Sequence, residues 1–340
     1  MPWPSIARVS VIASYFGNST LAGKTPGARA AAGRYDTPVL PRRLALAAAA
    51  AVAFAGAIAL YPPARLLALV ALGRSPVCPA SHAVFSKSNI AEIGRSKDRI
   101  FAASRLVRTD GGLELWQTPQ GPFWIPAGSR FVLPFNLAEI ERGVYASPGH
   151  FIRPGDIVLD CGASDGDFTR AALRAGAARV VSIEIAPATI ECLRRNLADE
   201  ISAGRAVVYP KGVWDREDTL TLNVDPNNFA ANSVVLRPES SHPSVQVPLT
   251  TIDHIAAELA LPRVDFIKMD VEGAEVKALA GAASVLARYK PRLAIAAEHH
   301  PDDQFTIPAA VRRARPDYRM ECGQCLETQG HIWPNVLFFW

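Results

Sequence analysis

Residues 156–170 read Asp-Ile-Val-Leu-Asp-Cys-Gly-Ala-Ser-Asp-Gly-Asp-Phe-Thr-Arg. An apolar run ends in Asp160, Gly162 and Gly166 bracket a short turn, and Phe168 opens a helical pattern. Glycines allow a nucleotide-like ligand to approach the backbone, and the start of the helix offers free N–H groups and the positive end of its dipole. The stretch therefore predicts a ligand-binding turn between a strand and a helix.

Three chemistries share this outline. The stretch satisfies the G-x-S-x-G pattern of an α/β-hydrolase, in which Ser164 would be the nucleophile. It departs from the dinucleotide pattern G-x-G-x-x-G, because Ser164 stands at the second glycine. It also fits the first motif of S-adenosylmethionine (SAM) methyltransferases, in which an acid ends the first strand and a glycine-rich turn wraps the amino-acid half of the cofactor. The rest of the chain has to distinguish these classes.

The sequence after this turn alternates between strand and helix patterns. Such alternation is typical of an α/β protein with a doubly wound parallel sheet. A helix is predicted to begin at Pro187 and run to Ile201, and another to follow the fourth strand. We predict strands at 179–185, 206–209, 264–269, 292–297 and 335–340, and a β insertion at 215–250 that includes a strand at 233–236.

The composition limits the classes of function. The chain has 340 residues, of which 49% are hydrophobic and 20% charged, so it can bury one full core and a smaller appendage. The net charge of +4 is not gathered into a basic patch, and no nucleic-acid partner is predicted. Five cysteines, an odd number in a long chain, do not predict a disulfide framework and favour a reducing compartment. The single C-x-x-C at 322–325 is predicted to be a structural turn, and Cys161 and Cys192 to be buried hydrophobic side chains.

The N-terminal part divides by composition. Residues 1–43 are basic and are predicted to be disordered. Residues 44–77 form an Ala-rich apolar helical segment, whose uncharged run at 44–60 is short of the about 20 residues that a membrane span needs. A membrane anchor through 44–72, a helix packed on the domain, and an extension upstream of the true start all remain open. Because basic residues precede the run, a span would place the rest of the chain outside the cytoplasm.

An appendage is predicted at residues 78–150, ahead of a catalytic domain at 151–340. It contains strand patterns at 99–108, 113–118 and 123–125, separated by strong turn signals, and a helix pattern at 137–144.

An acid also ends the second strand of the catalytic domain. Glu184 stands where a carboxylate accepts hydrogen bonds from ribose hydroxyls. A hydrolase has no use for an acid at this place, so Glu184 favours a nucleoside cofactor over the nucleophile elbow.

Three segments together resemble the FkbM family of SAM-dependent methyltransferases. They are residues 159–166, residues 182–184, and residues 265–275, which read Asp-Phe-Ile-Lys-Met-Asp-Val-Glu-Gly-Ala-Glu. The similarity covers roughly residues 120–340, and its most specific part begins at Lys268. It implies a Rossmann-like class I methyltransferase sheet, SAM as cofactor and usually O-methylation. The sequence departs from the family at Ser164, where Asn is usual, and after Glu184, where Pro is usual.

The resemblance implies roles for individual residues of the cofactor site. Asp160, Gly162, Ser164 and Gly166 would hold the methionine part of SAM, and Glu184 the ribose. Trp214 would lie near the adenine, where it stacks on the ring or instead anchors the β insertion. Asp270, at the end of the fourth strand, would also line the cofactor crevice.

The catalytic groups are predicted from two strand ends. Glu298-His299-His300 ends the fifth strand and, with Asp270, supplies groups that can act as a general base or bind a divalent cation. We predict His299 as the base, Asp270 as the second candidate, and no metal. Methyl transfer is an in-line displacement, so positioning carries most of the catalysis.

The resulting prediction is a SAM-dependent methyltransferase that O-methylates a hydroxyl on a small-molecule or glycan-like acceptor. Its catalytic domain is expected in the cytoplasm, where SAM is supplied. The alternatives are a serine hydrolase that uses Ser164 and a non-catalytic membrane-linked binding protein. The oligomeric state has no signature in the sequence.

Overall fold

A seven-stranded sheet forms the centre of the protein. The computed structural model describes residues 42–147, 149–236 and 243–340, and Val52–Trp340 form one compact unit. In spatial order the strands are β12 (Met320–Cys322), β15 (Val336–Phe339), β11 (Arg292–Ala296), β10 (Phe266–Met269), β4 (Ile157–Cys161), β5 (Arg179–Ile183) and β6 (Ala206–Tyr209). Strand β15 is antiparallel to both neighbours, and the pairs from β11 to β6 are parallel. The predicted doubly wound α/β sheet is confirmed.

The chain order of the strands reverses in the middle of this sheet. From β4 the chain proceeds outward to β5 and β6, and it then returns to β10 and β11 on the other side of β4. Open α/β sheets bind ligands outside the carboxyl ends of their strands beside such a reversal. The residues that follow β4 and β10 therefore lie where a ligand is expected.

Helices pack on both faces of the sheet, because alternate strand residues point to opposite sides. Val158 packs in one apolar cluster with Phe168, and its neighbour Leu159 packs in another with Leu279. The helices of this part are α6 (Asp167–Arg174), α7 (Pro187–Asn196), α8 (Ala198–Ser202), α9 (Ile252–Glu258), α10 (Glu275–Ala280), α11 (Ala283–Tyr289) and α12 (Asp303–Ala314).

Two helices predicted as continuous are each split in two. The first divides into α7 and α8 at Leu197. The second divides into α10 and α11 beside Gly281, where a Cβ would overlap the carbonyl oxygen of Trp214. A distant backbone that packs against the helix leaves no periodic signal, so the second break was not predictable locally.

The predicted appendage contains a three-stranded antiparallel sheet between two helices. Its elements are α4 (Ser86–Ala102), β1 (Arg105–Asp110), β2 (Leu113–Thr118), β3 (Gly121–Pro126) and α5 (Val132–Glu141). The three strands are confirmed, but residues 99–102 are the last turn of α4 and not part of a strand. Leu133 and Leu137 of α5 pack in the same cluster as Phe168, so this segment shares the core of the sheet.

The predicted β insertion is also confirmed. Strands β7 (Gly212–Val213), β8 (Asp218–Asn223) and β9 (Ser244–Thr250) form a small sheet in the order β7–β9–β8. A 3-10 turn, Phe229–Ala231, lies between β8 and β9. The strand predicted at 233–236 is reduced to one isolated bridge between Ser233 and Asn223.

The N-terminal helices are α1 (Arg42–Leu60), α2 (Pro62–Ala71) and α3 (Ala80–Ala83). Of the residues predicted to be disordered, 1–41 lie outside the described residues. Arg42 and Arg43 are the first two residues of α1. No helix in the described part of the chain is long and apolar enough to cross a membrane, so the membrane-anchor alternative is not supported. Leu66 of α2 is buried in the core.

A disulfide joins Cys78 to Cys325, across a sequence separation of 247 residues. The inference that the cysteines favour a reducing compartment loses its basis, because parity of number says nothing about which side chains meet in space. Cys325 begins β13 (Cys325–Thr328), which forms a hairpin with β14 (His331–Pro334). Cys161 and Cys192 are buried, as predicted, and both are free; of the C-x-x-C predicted to be a structural turn, Cys322 is free and Cys325 belongs to the disulfide.

Replacing both Cys78 and Cys325 with serine is expected to lower the free energy of unfolding by about 2–5 kcal/mol, because the unfolded chain regains the entropy of a long loop. Urea unfolding followed by circular dichroism, with and without reductant, measures the difference. Cys192→Ser is the control, since its thiol is buried and free. Identical unfolding of the wild type with and without reductant would contradict the disulfide.

Candidate active site

The glycine turn rests on a buried ion pair. Asp160 lies one residue before the end of β4 and has no exposed surface, and its carboxylate accepts a hydrogen bond from Thr169 Oγ1 at 2.7 Å. Lys268 Nζ lies 3.4 Å from Asp160 Oδ1 and donates to the carbonyl oxygen of Gly162 at 2.7 Å. Burial raises the pKa of Asp160, while Lys268 and Thr169 oppose the rise. Asp160 therefore stabilises the glycine turn through Lys268, which pairs with Asp160 and donates to the turn.

Gly162 is required by packing inside the protein. Its φ is +77°, and a Cβ would overlap the carbonyl oxygen of Asp270. The backbone N–H of Asp270 also donates to the carbonyl oxygen of Cys161 at 3.0 Å, so the ends of β4 and β10 are in direct contact. The approach of a ligand was the predicted reason for a glycine here, whereas the structure shows an approach of the neighbouring strand end. Gly166, with φ +88°, has a milder constraint, because a Cβ there would lie 2.9 Å from the flexible side chain of Leu193.

Glu184 links the turn to the end of β5. It is 9% exposed, and its carboxylate accepts backbone N–H groups from Ser164 at 2.9 Å and from Ile185 and Ala186 at 2.8 Å. Burial raises its pKa, and these hydrogen bonds oppose the rise. A carboxylate offers about four acceptor positions, so capacity for a ribose hydroxyl remains beside the backbone donors.

The residues around the glycine turn fit the amino-acid and ribose parts of SAM. Ser164 Oγ in the glycine turn and Trp214 Nε1 after β7 are buried and have no hydrogen-bond partner among the described residues. Buried polar atoms without partners are uncommon in native proteins and call for a ligand or water. Turn residues with free polar atoms and an acid at the next strand end together suit a cofactor that carries an amino acid and a ribose.

Trp214 has an apolar environment of its own. Its side chain packs with Leu249 and Ala274, and Lys277 Nζ lies 5.5 Å from the centroid of its ring. These contacts match the alternative in which Trp214 anchors the β insertion. Adenine stacking stays a prediction.

Asp270 faces a tyrosine and a histidine. Tyr145 OH donates to Asp270 Oδ2 at 2.7 Å, and His299 Nε2 lies 3.5 Å from Asp270 Oδ1. Burial would raise the pKa of Asp270, but Lys268 and His299 lower it below its ordinary value. Asp270 is therefore an ionised carboxylate held from two sides.

His299 lies among carboxylates. Its side chain is 10% exposed, with Nδ1 3.0 Å from Glu275 Oε1 and Nε2 3.7 Å from Glu272 Oε1. Burial would lower its pKa, but Glu275 and Glu272 raise it well above its ordinary value. A raised pKa keeps His299 protonated at neutral pH, which disfavours the predicted role as a base and favours the second candidate, Asp270.

Asp270, Glu272 and His299 form a cluster that could surround a metal ion. One oxygen each of Asp270 and Glu272 and a ring nitrogen of His299 lie within 4.8 Å of one another, which is close enough to enclose a cation. The positive charge of His299 already balances part of this group, and the absence of a metal stays a prediction. Glu298 follows β11 directly before His299 and is exposed.

Ser164 does not have the contacts that the serine hydrolase alternative requires. Ser164 Oγ has no hydrogen-bond partner among the described residues, whereas a nucleophilic serine needs a histidine within reach. His299 is surrounded by Asp270, Glu272 and Glu275.

Two residues of the site, Lys268 and Tyr145, were given no role in the prediction from the sequence. Lys268 is a lysine in the middle of an apolar strand, which signals a buried partner because lysine is rarely buried unpaired. Tyr145 carries no signal in the sequence, since it reaches the site from a segment before the sheet.

The strand order, the glycine turn and the acid at the adjacent strand end give the sheet the Rossmann-like fold that class I methyltransferases share. Residues 160–322 match the family model of the methyltransferase FkbM domain, so the resemblance predicted from the sequence is confirmed for this part of the chain.

Solved structures of low identity are similar to the chain. The methyltransferase FkbM from Methylobacillus flagellatus KT is 20% identical, with 75% of this chain and 60% of that chain covered and a TM-score of 0.44. This chain thus spans less than two thirds of the length of that structure. TYW2 from M. jannaschii, in complex with AdoMet, is 12% identical, with 69% of this chain and 88% of that chain covered and a TM-score of 0.38. No curated protein matches the sequence.

Proposed function

We propose that the protein transfers a methyl group from SAM to a hydroxyl of a small-molecule or glycan-like acceptor. One observation carries the proposal. The backbone carbonyl of Asp270 packs on Gly162 of the cofactor turn, while its carboxylate lies beside His299. A group that can accept a proton therefore adjoins the turn predicted to hold the methyl donor.

The residues that would hold SAM are Asp160, Gly162, Ser164, Gly166 and Glu184, with Trp214 at the adenine end. When bound, SAM supplies a methyl group on a sulfonium sulfur. The protein's task is to orient the acceptor oxygen in line with that carbon, which accounts for most of the rate enhancement.

Asp270 is the proposed proton acceptor. The hydroxyl proton becomes strongly acidic as its oxygen gains the methyl group. A carboxylate with a lowered pKa is therefore basic enough to accept this proton. Protonated His299 keeps Asp270 ionised and balances Glu272 and Glu275. The proton then leaves to solvent.

The cytoplasm remains the proposed location, because SAM is made and used there. The disulfide between Cys78 and Cys325 is instead typical of an oxidising compartment. Cell fractionation with a probe of the thiol state distinguishes the two locations.

Glutamine at Glu184 is expected to weaken SAM binding at least about tenfold, because charged hydrogen bonds to a ligand contribute about 1.5–3 kcal/mol. Isothermal titration calorimetry on the full chain measures the affinity. Glu191→Gln is the matched control, since Glu191 is an exposed acid in α7, seven residues after Glu184. Failure of the folded wild type to bind SAM would overturn the proposed function.

The acceptor class is tested with SAM that carries a labelled methyl group and a panel of methyl glycosides and phenols. Label in an ether that resists mild base supports O-methylation. Transfer to amine analogues alone would overturn it, and labelling of Ser164 by a fluorophosphonate would favour the hydrolase.

A further inference from the structure

Tyr145 enters the site from outside the FkbM domain. It lies between α5 and β4, before the matched range of 160–322, and only 9% of it is exposed. Its ring meets Phe168 edge to face, with centroids 5.9 Å apart, and Lys268 Nζ lies 5.3 Å from the ring centroid. The ring is thus fixed by packing on the helix that follows the glycine turn and by the cation beneath that turn.

The hydroxyl of Tyr145 fixes one oxygen of the acid. It donates to Asp270 Oδ2 at 2.7 Å, while Asp270 Oδ1 faces His299 Nε2 at 3.5 Å. A carboxylate rotates about its last bond, and a donor on one oxygen selects the direction of the other. Tyr145 therefore determines which oxygen of Asp270 stays available.

We propose that Tyr145 is a positioning residue that orients the Asp270 carboxylate toward the acceptor hydroxyl, so that the segment before the FkbM domain completes the active site. This proposal rests on the proposed function. Burial and the neighbouring Asp270 raise the pKa of Tyr145 well above its ordinary value, so the phenol remains a donor throughout the working range of pH. The other titratable groups that act on this pair are Lys268, His299, Glu139 and Glu298.

Tyr145→Phe in the full chain removes the hydroxyl and keeps the ring. The expected result is a kcat about tenfold lower, because a hydrogen bond to a charged group is lost, with KM for the best acceptor of the panel and SAM affinity changed less than about twofold. Tyr318→Phe is the matched control, because Tyr318 OH is also buried and donates, to the carbonyl oxygen of Pro291 at 2.8 Å. That variant should keep kcat.

A second measurement needs no acceptor. The pKa of Asp270, followed by carbon NMR of labelled aspartate and assigned with Asp270→Asn, should rise in Tyr145→Phe and stay unchanged in Tyr318→Phe, since a donor to the charged form is lost. Unchanged kcat and unchanged Asp270 titration in Tyr145→Phe would overturn the proposal, as would equal losses in both variants. Failure of the wild type to bind SAM or transfer a methyl group would instead refute the proposed function.

Discussion

Replacing Gly162 with alanine is expected to abolish detectable SAM binding and to lower the free energy of unfolding by about 3 kcal/mol or more. Two effects add. The φ of +77° is unfavourable for an L side chain, and the new Cβ would overlap the carbonyl oxygen of Asp270, which belongs to the backbone and cannot move without the end of β10. Urea unfolding and calorimetric SAM titration measure the two losses.

Gly204→Ala separates these effects. Gly204 has a φ of +70°, and a Cβ there would meet no atom within 4 Å. The control variant should therefore lose only the about 1–2 kcal/mol that a left-handed conformation costs, and it should bind SAM as the wild type does. Equal destabilisation of the two variants would show that the contact between Gly162 and Asp270 is not a constraint on the fold.

The local part of the site was predictable because it depends on neighbours in sequence. A strand, a turn with glycines and a helix are each encoded within 156–170, and they appear as β4, the turn and α6. The acid at the end of β5 followed from the same local reading. What needed the structure is the register, which places Lys268 of β10 directly beside Asp160 of β4 and so forms the buried ion pair.

Longer-range features were outside the reach of pattern reasoning. Tyr145 and Asp270 are 125 residues apart in sequence, and Cys78 and Cys325 are 247 apart. Only packing brings such pairs together. The charge state of His299 is also a long-range feature. His299 follows β11, whereas Glu272 and Glu275, which raise its pKa, follow β10.

The acids after β10 thus change the chemistry expected of His299. A histidine at a strand end predicts a base, because its ordinary pKa lies near neutral pH. Three carboxylates within 4 Å, those of Asp270, Glu272 and Glu275, favour its charged form instead. The proposed proton acceptor is therefore Asp270, whose carboxylate the imidazolium keeps ionised.

Asp270→Asn is expected to lower kcat for methyl transfer by about 10²–10⁴-fold, the usual contribution of a general base. SAM affinity should stay within a few fold, because the backbone contact with Gly162 is retained. Radiolabel transfer under saturating SAM measures kcat, and Asp199→Asn, an exposed acid in α8, is the control.

The pH dependence of kcat in the wild type distinguishes Asp270 from His299 as the base. The pKa of Asp270 is lowered, so this carboxylate is ionised throughout neutral pH, and kcat should be level between about pH 5 and 7. The pKa of His299 is raised well above its ordinary value, so a base at His299 would give a kcat that climbs with pH throughout this range. A level profile that Asp270→Asn depresses at every pH assigns the proton to Asp270. A climbing profile that His299→Gln removes would return it to the histidine.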